Sequence, residues 1–259
     1  MTTPDTSILV LATIMGLAIG SFLNVVIYRL PLGQSLLTPP STCPSCRTRL
    51  RAIDNVPVLS WLALGGKCHH CKAPISPQYP LVEFVTGVLF LLITWVTPMG
   101  PLLAARLILV VILIALFGID LHHQILPNTI TLPGIVIGFL FSLAGPPGWF
   151  DSLLGILLGA GILYGIAAAY YAVRREEGLG MGDVKMLAMI GAFLGWKAVL
   201  VTLILSSFSG ALVGIGLIAF SRGGMRLALP FGTFLSLGAL AAMLVGEPLV
   251  RWYSGFFVP

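Results

Sequence analysis

Apolar stretches of about 20 residues recur along this chain, separated by short polar segments. A helix of about that length crosses the hydrocarbon core of a bilayer and satisfies its own backbone hydrogen bonds there. We therefore predict an all-α polytopic membrane protein with about eight transmembrane helices. The stretches lie at roughly 7–28, 81–97, 101–119, 129–145, 152–173, 199–220 and 228–246, with a shorter one at about 184–195.

The composition excludes a soluble domain and makes the lipid bilayer an expected partner. Of the residues, 58% are hydrophobic and only 9% are charged, and the mean hydropathy is +1.03. No basic residue precedes the first apolar stretch, and no small-residue cleavage pattern follows it. We expect a membrane helix there and not a removable signal peptide.

Most lysine and arginine residues lie on one side of the predicted membrane. If eight spans alternate, 11 of the 14 basic residues share a side, which the positive-inside rule makes cytoplasmic. Asp120 and Asp183 fall on that side too, at similar depth. The net charge of +5 then reflects topology and attraction to anionic lipid, and no nucleic-acid partner is expected. The 11 residues are Arg29, Arg47, Arg49, Arg51, Lys67, Lys72, Arg174, Arg175, Lys185, Arg222 and Arg226.

Two aspartates stand where apolar stretches meet water. Asp120 ends the run LILVVILIALFGID, and Asp183 closes a turn that contains Gly180 and Gly182. A carboxylate at membrane depth is costly unless it is paired or wetted, so it indicates function. Two of them suggest a dyad, with one general base and one general acid, and the glycines allow close approach to the second. The alternative is that Asp183 only caps a helix and Asp120 only marks a helix end.

The chain's four cysteines form two C-x-x-C pairs, Cys43 with Cys46 and Cys68 with Cys71, in a polar loop at about 29–80. On the cytoplasmic side thiols stay reduced, which favours tetrahedral zinc over disulfides. Four cysteines leave no open coordination position, so we expect a structural metal in a zinc-ribbon-like loop domain. His69 and His70 are alternative ligands, but four thiolates suffice.

An ordered set of further motifs resembles the type IV prepilin peptidases, which are bifunctional leader peptidases and N-methyltransferases. The resemblance runs from about residue 16 to 236 and includes the cysteine pairs, Asp120 and the Gly-x-Gly-Asp motif with Lys185. The other motifs are GSFLN at 20–24, YRLP at 28–31, NVPVLSWL at 55–62, GKC at 66–68, YPLVE at 79–83, LPN at 126–128 and PFG at 230–232.

The resemblance implies an intramembrane aspartic endopeptidase of the bacterial inner membrane, multi-pass, with its active site facing the cytoplasm. Asp120 and Asp183 match the catalytic aspartates. The implied substrates are prepilins and the pseudopilins of type II secretion, which carry a short basic leader ending in glycine ahead of an apolar helix. The second implied activity transfers a methyl group from S-adenosylmethionine to the new N-terminus.

Three residues are implied in methyl transfer: Gly66, Lys67 and Glu83. For Glu83 a substrate or cofactor contact competes with a first-turn glutamate favoured by the helix dipole. Lys185 is expected to anchor the interface or to orient the substrate. On this basis we divide the chain into a first transmembrane helix at 1–28, a zinc-binding loop at 29–80 that is associated with methyl transfer, and a peptidase core at 81–259.

Two positions depart from the family's pattern. The family often has an acidic residue after the first aspartate, where this chain has His122, His123 and Asn128, and it commonly has a second proline where this chain has Thr233. Both changes affect local geometry and remove no catalytic carboxyl. A rival function is a polytopic transporter or channel that binds cations at the two aspartates, and a membrane scaffold carrying a zinc ribbon is a third interpretation.

Overall fold

The computed structural model describes residues 5–176, 178–220 and 229–254, and that part of the chain is helical with no strand. Arg222 and Arg226 lie outside the described residues. A 3-10 helix spans Ala52–Asn55 between the first two α-helices. The α-helices are α1 Thr6–Arg29, α2 Leu59–Ala63, α3 Gln78–Val96, α4 Pro101–His123, α5 Asn128–Ser142, α6 Trp149–Arg174, α7 Met181–Phe220 and α8 Phe231–Ser254.

Five helical segments in the described residues are long and apolar enough to cross a membrane: α1, α3, α4, α6 and Met181–Ala219 of α7. The backbone of α7 leaves helical geometry at Gly195, with φ 79° and ψ 173°, a conformation that glycine adopts without strain. This break separates the predicted short segment before residue 195 from the longer one after it. Two further apolar helices, Asn128–Ser142 and Phe231–Gly246, are shorter. The all-α polytopic fold is confirmed, although α5 ends at Ser142, earlier than predicted.

Residues Met1–Met99 form one compact unit, in which α1 packs on α3. Gly16 and Gly20 of α1 face α3, and a Cβ on Gly20 would lie 2.7 Å from the Cα of Glu83. Small residues at such a contact let two helix backbones approach closely. The amide of Asn24 donates a hydrogen bond to the carbonyl of Tyr79 at 3.1 Å. This hydrogen bond connects α1, after which the polar loop begins, to the start of α3, where the loop ends.

Residues Gly100–Pro259 form the second unit, whose buried side chains come largely from α4, the first half of α7 and α8. Gly155 of α6 lies directly against the backbone of α7, since a Cβ there would be 2.5 Å from the carbonyl oxygen of Gly191. Met186, Leu187 and Ile190 are fully buried. The first half of α7 is therefore enclosed by protein on most sides, which fixes the position of its first turn.

Candidate active site

Asp120 lies in the last turn of α4 and is only 4% exposed. Its Oδ2 accepts a hydrogen bond from the backbone N–H of Thr233 at 2.7 Å and another from the Thr233 hydroxyl at 3.0 Å. Both donors belong to the first turn of α8. The positive end of the α8 dipole and two hydrogen bonds thus hold this carboxyl in one orientation.

Asp183 lies in the first turn of α7 and is half-buried. Its backbone N–H donates to the carbonyl of Gly180 at 3.1 Å, which closes the turn that the sequence predicted. A Cβ on Gly180 would lie 3.3 Å from Oδ2 of Asp183, so a larger residue would crowd the carboxyl. The missing side chain leaves one approach to Asp183 uncovered.

Leu126 joins the surroundings of the two aspartates. A Cβ on Gly182 would lie 2.9 Å from the Leu126 Cβ, and a Cβ on Gly232 would lie 2.9 Å from the Leu126 Cδ1 and 3.0 Å from Oδ2 of Asp120. The side chain of Leu126 thus lies against both the first turn of α7 and the start of α8. The Asp120 carboxyl and the helix turn that carries Asp183 thus both lie beside Leu126. The structure therefore brings together the two aspartates that the sequence singled out.

Lys185 has a partner away from the carboxyls. Its Nζ donates to Oδ1 of Asn128 at 2.9 Å, which connects the first turn of α7 to the first residue of α5. His122 is also occupied locally, since its Nδ1 lies 2.7 Å from the carbonyl oxygen of Gly118. In the described residues, neither of these cationic or titratable side chains makes a hydrogen bond to Asp120 or Asp183.

A cavity of about 410 Å³ lies elsewhere in the second unit. Leu102 and Arg106 near the start of α4 line it, together with Asp151, Gly195 and Lys197. Asp120 is at the opposite end of α4. This cavity is therefore separate from the aspartates, and the proposed chemistry does not use it.

The four cysteines lie in the first unit, and their sulfur atoms are all within 4.8 Å of one another. Each pair forms the same turn. In each turn, the N–H of the first cysteine donates a hydrogen bond to the carbonyl of the residue five positions after it. The residue four positions after that cysteine has a positive φ. The bonded residues are Cys43 with Thr48 at 3.0 Å and Cys68 with Ala73 at 2.8 Å, and φ is 57° at Arg47 and 59° at Lys72. Two such turns facing each other place four sulfurs around one point, so these residues fit a metal ion.

Hydrogen bonds, burial and neighbouring sulfurs shift the pKa values of Cys46, Cys68 and Cys71. The pKa of Cys46 is lowered to about 6, first by its hydrogen bond with the Thr48 side chain. The pKa of Cys68 is lowered by the backbone of Cys71 and of His70. At Cys71 the Ala73 backbone lowers the pKa, but burial and the three neighbouring cysteines outweigh it and raise the pKa to about 11. A divalent cation at this point would relieve the repulsion among thiolates and ionise all four.

The residues implied in methyl transfer all lie in or beside the loop that carries the four cysteines. Gly66 is buried with φ +69°, and a Cβ there would lie 2.8 Å from the indole ring of Trp61. Lys67 is exposed. Glu83 is 8% exposed, and its Oε2 accepts the N–H of Val58 at 2.7 Å. Because α3 begins at Gln78, Glu83 is not in the first turn, and the helix-dipole alternative is wrong.

The sequence did not reveal two residues that lie beside Asp120 and Asp183. Thr233 was noted only as a departure from a family pattern, and Leu126 only as part of a motif. No local signal marks either as a neighbour of an aspartate, because Thr233 is 113 positions from Asp120 in the chain. Their roles depend on where α8 packs.

Comparison with known proteins matches most of the chain. The bacterial peptidase A24 N-terminal domain matches residues 14–97, and the type IV leader peptidase family matches residues 107–215. Proteins named prepilin leader peptidase/N-methyltransferase are 38% identical in Aeromonas hydrophila, over 96% of this chain and 94% of the relative, and 36% identical in Pseudomonas aeruginosa, over 95% and 94%. One from Myxococcus xanthus is 42% identical over 82% of this chain and 64% of that protein. No solved structure matches the chain.

Proposed function

The chain belongs to the type IV leader peptidase family, and we propose that it removes the basic leader of prepilins and pseudopilins after a glycine and then N-methylates the new N-terminus. It is a multi-pass inner-membrane protein, and we place its active site at the cytoplasmic face. The observation that carries the proposal is the meeting of Asp120 and Asp183 at one site in the second unit. None of these findings favours a transporter or channel.

The proposed peptidase step uses one ionised and one protonated aspartate. The ionised carboxylate takes a proton from water while the oxygen of that water bonds to the scissile carbonyl carbon. The protonated carboxyl gives its proton to the carbonyl oxygen. When the tetrahedral intermediate collapses, the C–N bond breaks, and the carboxyl that took the proton from water gives it to the leaving amine. A hydroxyl of the intermediate returns its proton to the other carboxylate as the new carboxyl group forms. No covalent enzyme intermediate forms, and the dyad returns to its starting state.

The proposed substrate matches the surroundings of the aspartates. A basic leader is attracted to carboxylates at the cytoplasmic face, while the apolar helix of the pilin stays in lipid. The scissile bond is thereby held at the depth of the dyad. Glycine before the cut suits a site where a substrate backbone passes between two carboxyls, because glycine has no side chain to displace either.

Co-expression with a prepilin tests this function. We expect leader removal, seen as a mobility shift, and methylation of the new N-terminus, seen by mass spectrometry. A matched prepilin whose last leader residue is changed from glycine to leucine should remain uncut. Equal processing of both substrates, or of neither, would contradict the proposal.

Methyl transfer requires S-adenosylmethionine as the donor of the methyl group, and we propose that the first unit supports this activity. Gly66 is packed under Trp61, and the Glu83 carboxylate bonds to the backbone of Val58. Gly66 and Glu83 therefore help to hold the loop in its conformation. Of the three residues, only Lys67 has a solvent-exposed side chain that could contact the methyl donor. The second activity then depends on the folded loop, which leaves the aspartates of the second unit to peptide hydrolysis.

We expect purified, never-chelated protein to contain about one zinc per chain. Four thiolates that are close enough to coordinate one ion tetrahedrally form a structural zinc site with no open position. Elemental analysis of the detergent-solubilised protein measures this. A Cys43→Ser protein should bind substantially less zinc. An absence of zinc in the wild-type protein, or a disulfide among these cysteines in cells, would contradict the assignment of a zinc site.

A further inference from the structure

The two aspartates differ in how they are held. Two donors hold Oδ2 of Asp120: the N–H and the hydroxyl of Thr233. Within residues 5–176, 178–220 and 229–254, no group donates a hydrogen bond to the side chain of Asp183. One carboxyl is therefore oriented by two donors at a helix terminus, whereas the described residues place no such donor on the other.

Donors that point at one oxygen stabilise the ionised carboxylate and do not stabilise the protonated acid on that oxygen. With Oδ2 occupied by Thr233, Oδ1 is the oxygen that remains for water. The asymmetry thus suits Asp120 to act as the general base and leaves Asp183 to carry the proton of the general acid.

We propose that Thr233 is a positioning residue, whose hydroxyl and amide fix Asp120 as the base that activates water. The inference rests on the proposed peptidase function. In the step itself, the proton from water goes to Oδ1 of Asp120, the new C–O bond forms at the scissile carbonyl, and the proton of Asp183 goes to the carbonyl oxygen.

In the motif that carries the family resemblance, proline stands at the position of Thr233, and proline has neither an N–H nor a hydroxyl to donate. The hydrogen bonds to Asp120 are therefore a feature of this chain and not a requirement of the reaction. Removing the hydroxyl should consequently weaken catalysis without abolishing it.

The test compares Thr233→Val, which removes the hydroxyl and keeps the shape, with Thr233→Ser, which keeps the hydroxyl. Steady-state cleavage of a prepilin by the purified full-length protein should show kcat lowered about tenfold or more by Thr233→Val, the loss expected for a hydrogen bond to a charged group. KM should be unchanged, because Thr233 acts on Asp120 and not on the substrate. Thr233→Ser should stay within about threefold of the wild type.

Ser206→Ala is the matched structural control. The Ser206 hydroxyl is also buried, and it donates to the carbonyls of Thr202 and Phe234 without contacting Asp120. Its loss tests α7–α8 packing alone and should leave kcat near the wild-type value. If Thr233→Val fails to accumulate, Thr233→Ala removes the same hydroxyl without the second methyl group.

The outcomes separate this inference from the proposed function. If the wild-type protein cleaves prepilin but Thr233→Val, or the alanine variant in its place, keeps kcat within about threefold, the positioning role is wrong and the peptidase remains. A rise in KM alone, or an equal loss in Thr233→Ser, would overturn it as well. If the wild-type protein cuts no prepilin, the proposed function itself fails.

Discussion

Asp120→Asn and Asp183→Asn are each expected to lower leader cleavage by roughly three to four orders of magnitude, the upper range for loss of an acid or base. Asparagine keeps the size of the side chain but neither accepts a proton from water nor donates one with the strength of an acid. Because the proposed mechanism uses the two carboxyls as a unit, either single change should cost nearly as much as both together. The measurement is cleavage of a co-expressed prepilin, normalised to the amount of enzyme in the membrane.

Asp151→Asn is the matched control for this prediction. Asp151 lies in the first turn of α6 and lines the separate cavity, so its carboxyl has no contact with the dyad. Its replacement should leave cleavage near the wild-type rate. Substantial cleavage by either dyad variant at normal expression would contradict an aspartic mechanism.

The features that the sequence predicted well are those that neighbouring residues encode. Membrane helices follow from runs of apolar residues, and the metal-ligand turns follow from pairs of cysteines separated by two residues. The turn at Gly180 and Gly182 is local too, and the structure shows the reason for it at Gly182, where a side chain would overlap Leu126.

The features that the sequence did not predict depend on contacts between distant segments. Nothing near Thr233 indicates that it bonds to Asp120, since the contact needs the start of α8 to meet the end of α4. Glu83 could not be assigned because its partner, the N–H of Val58, lies 25 residues away across the loop. Val58 itself has φ 60°, an uncommon conformation for a β-branched residue that the sequence does not signal.

An Asp183→Asn protein that is supplied with already cleaved pilin is expected to methylate the N-terminus of that pilin at close to the wild-type rate. Methyl transfer to an amine needs a deprotonated amine and a positioned donor, not a carboxyl pair acting on water. The aspartates lie in the unit Gly100–Pro259, and the cysteines, Gly66 and Lys67 lie in the unit Met1–Met99. The readout is incorporation of labelled methyl groups, measured beside cleavage of uncut prepilin in the same preparation.

Changes in the loop should give the opposite pattern. Gly66→Ala places a Cβ 2.8 Å from the Trp61 ring, whereas Gly65→Ala meets nothing within 4 Å although φ is positive at both glycines. The pair therefore separates the steric clash from backbone strain. We expect Gly66→Ala to lower methylation more than cleavage, and to do so more than Gly65→Ala. Lys67→Ala should likewise impair methylation more than cleavage.

Cys43→Ser tests the division of the two activities from the side of the metal. Loss of one ligand should unfold the loop, because the free energy of metal binding is part of its folding free energy. Methylation should then fall strongly, and cleavage should fall in part, which is the result expected if the folded loop also binds the leader. If a folded Asp183→Asn protein instead lost methylation of pre-cleaved pilin, methyl transfer would also depend on the Asp183 carboxyl. The two activities would then share one site, and the division between the two units would be wrong.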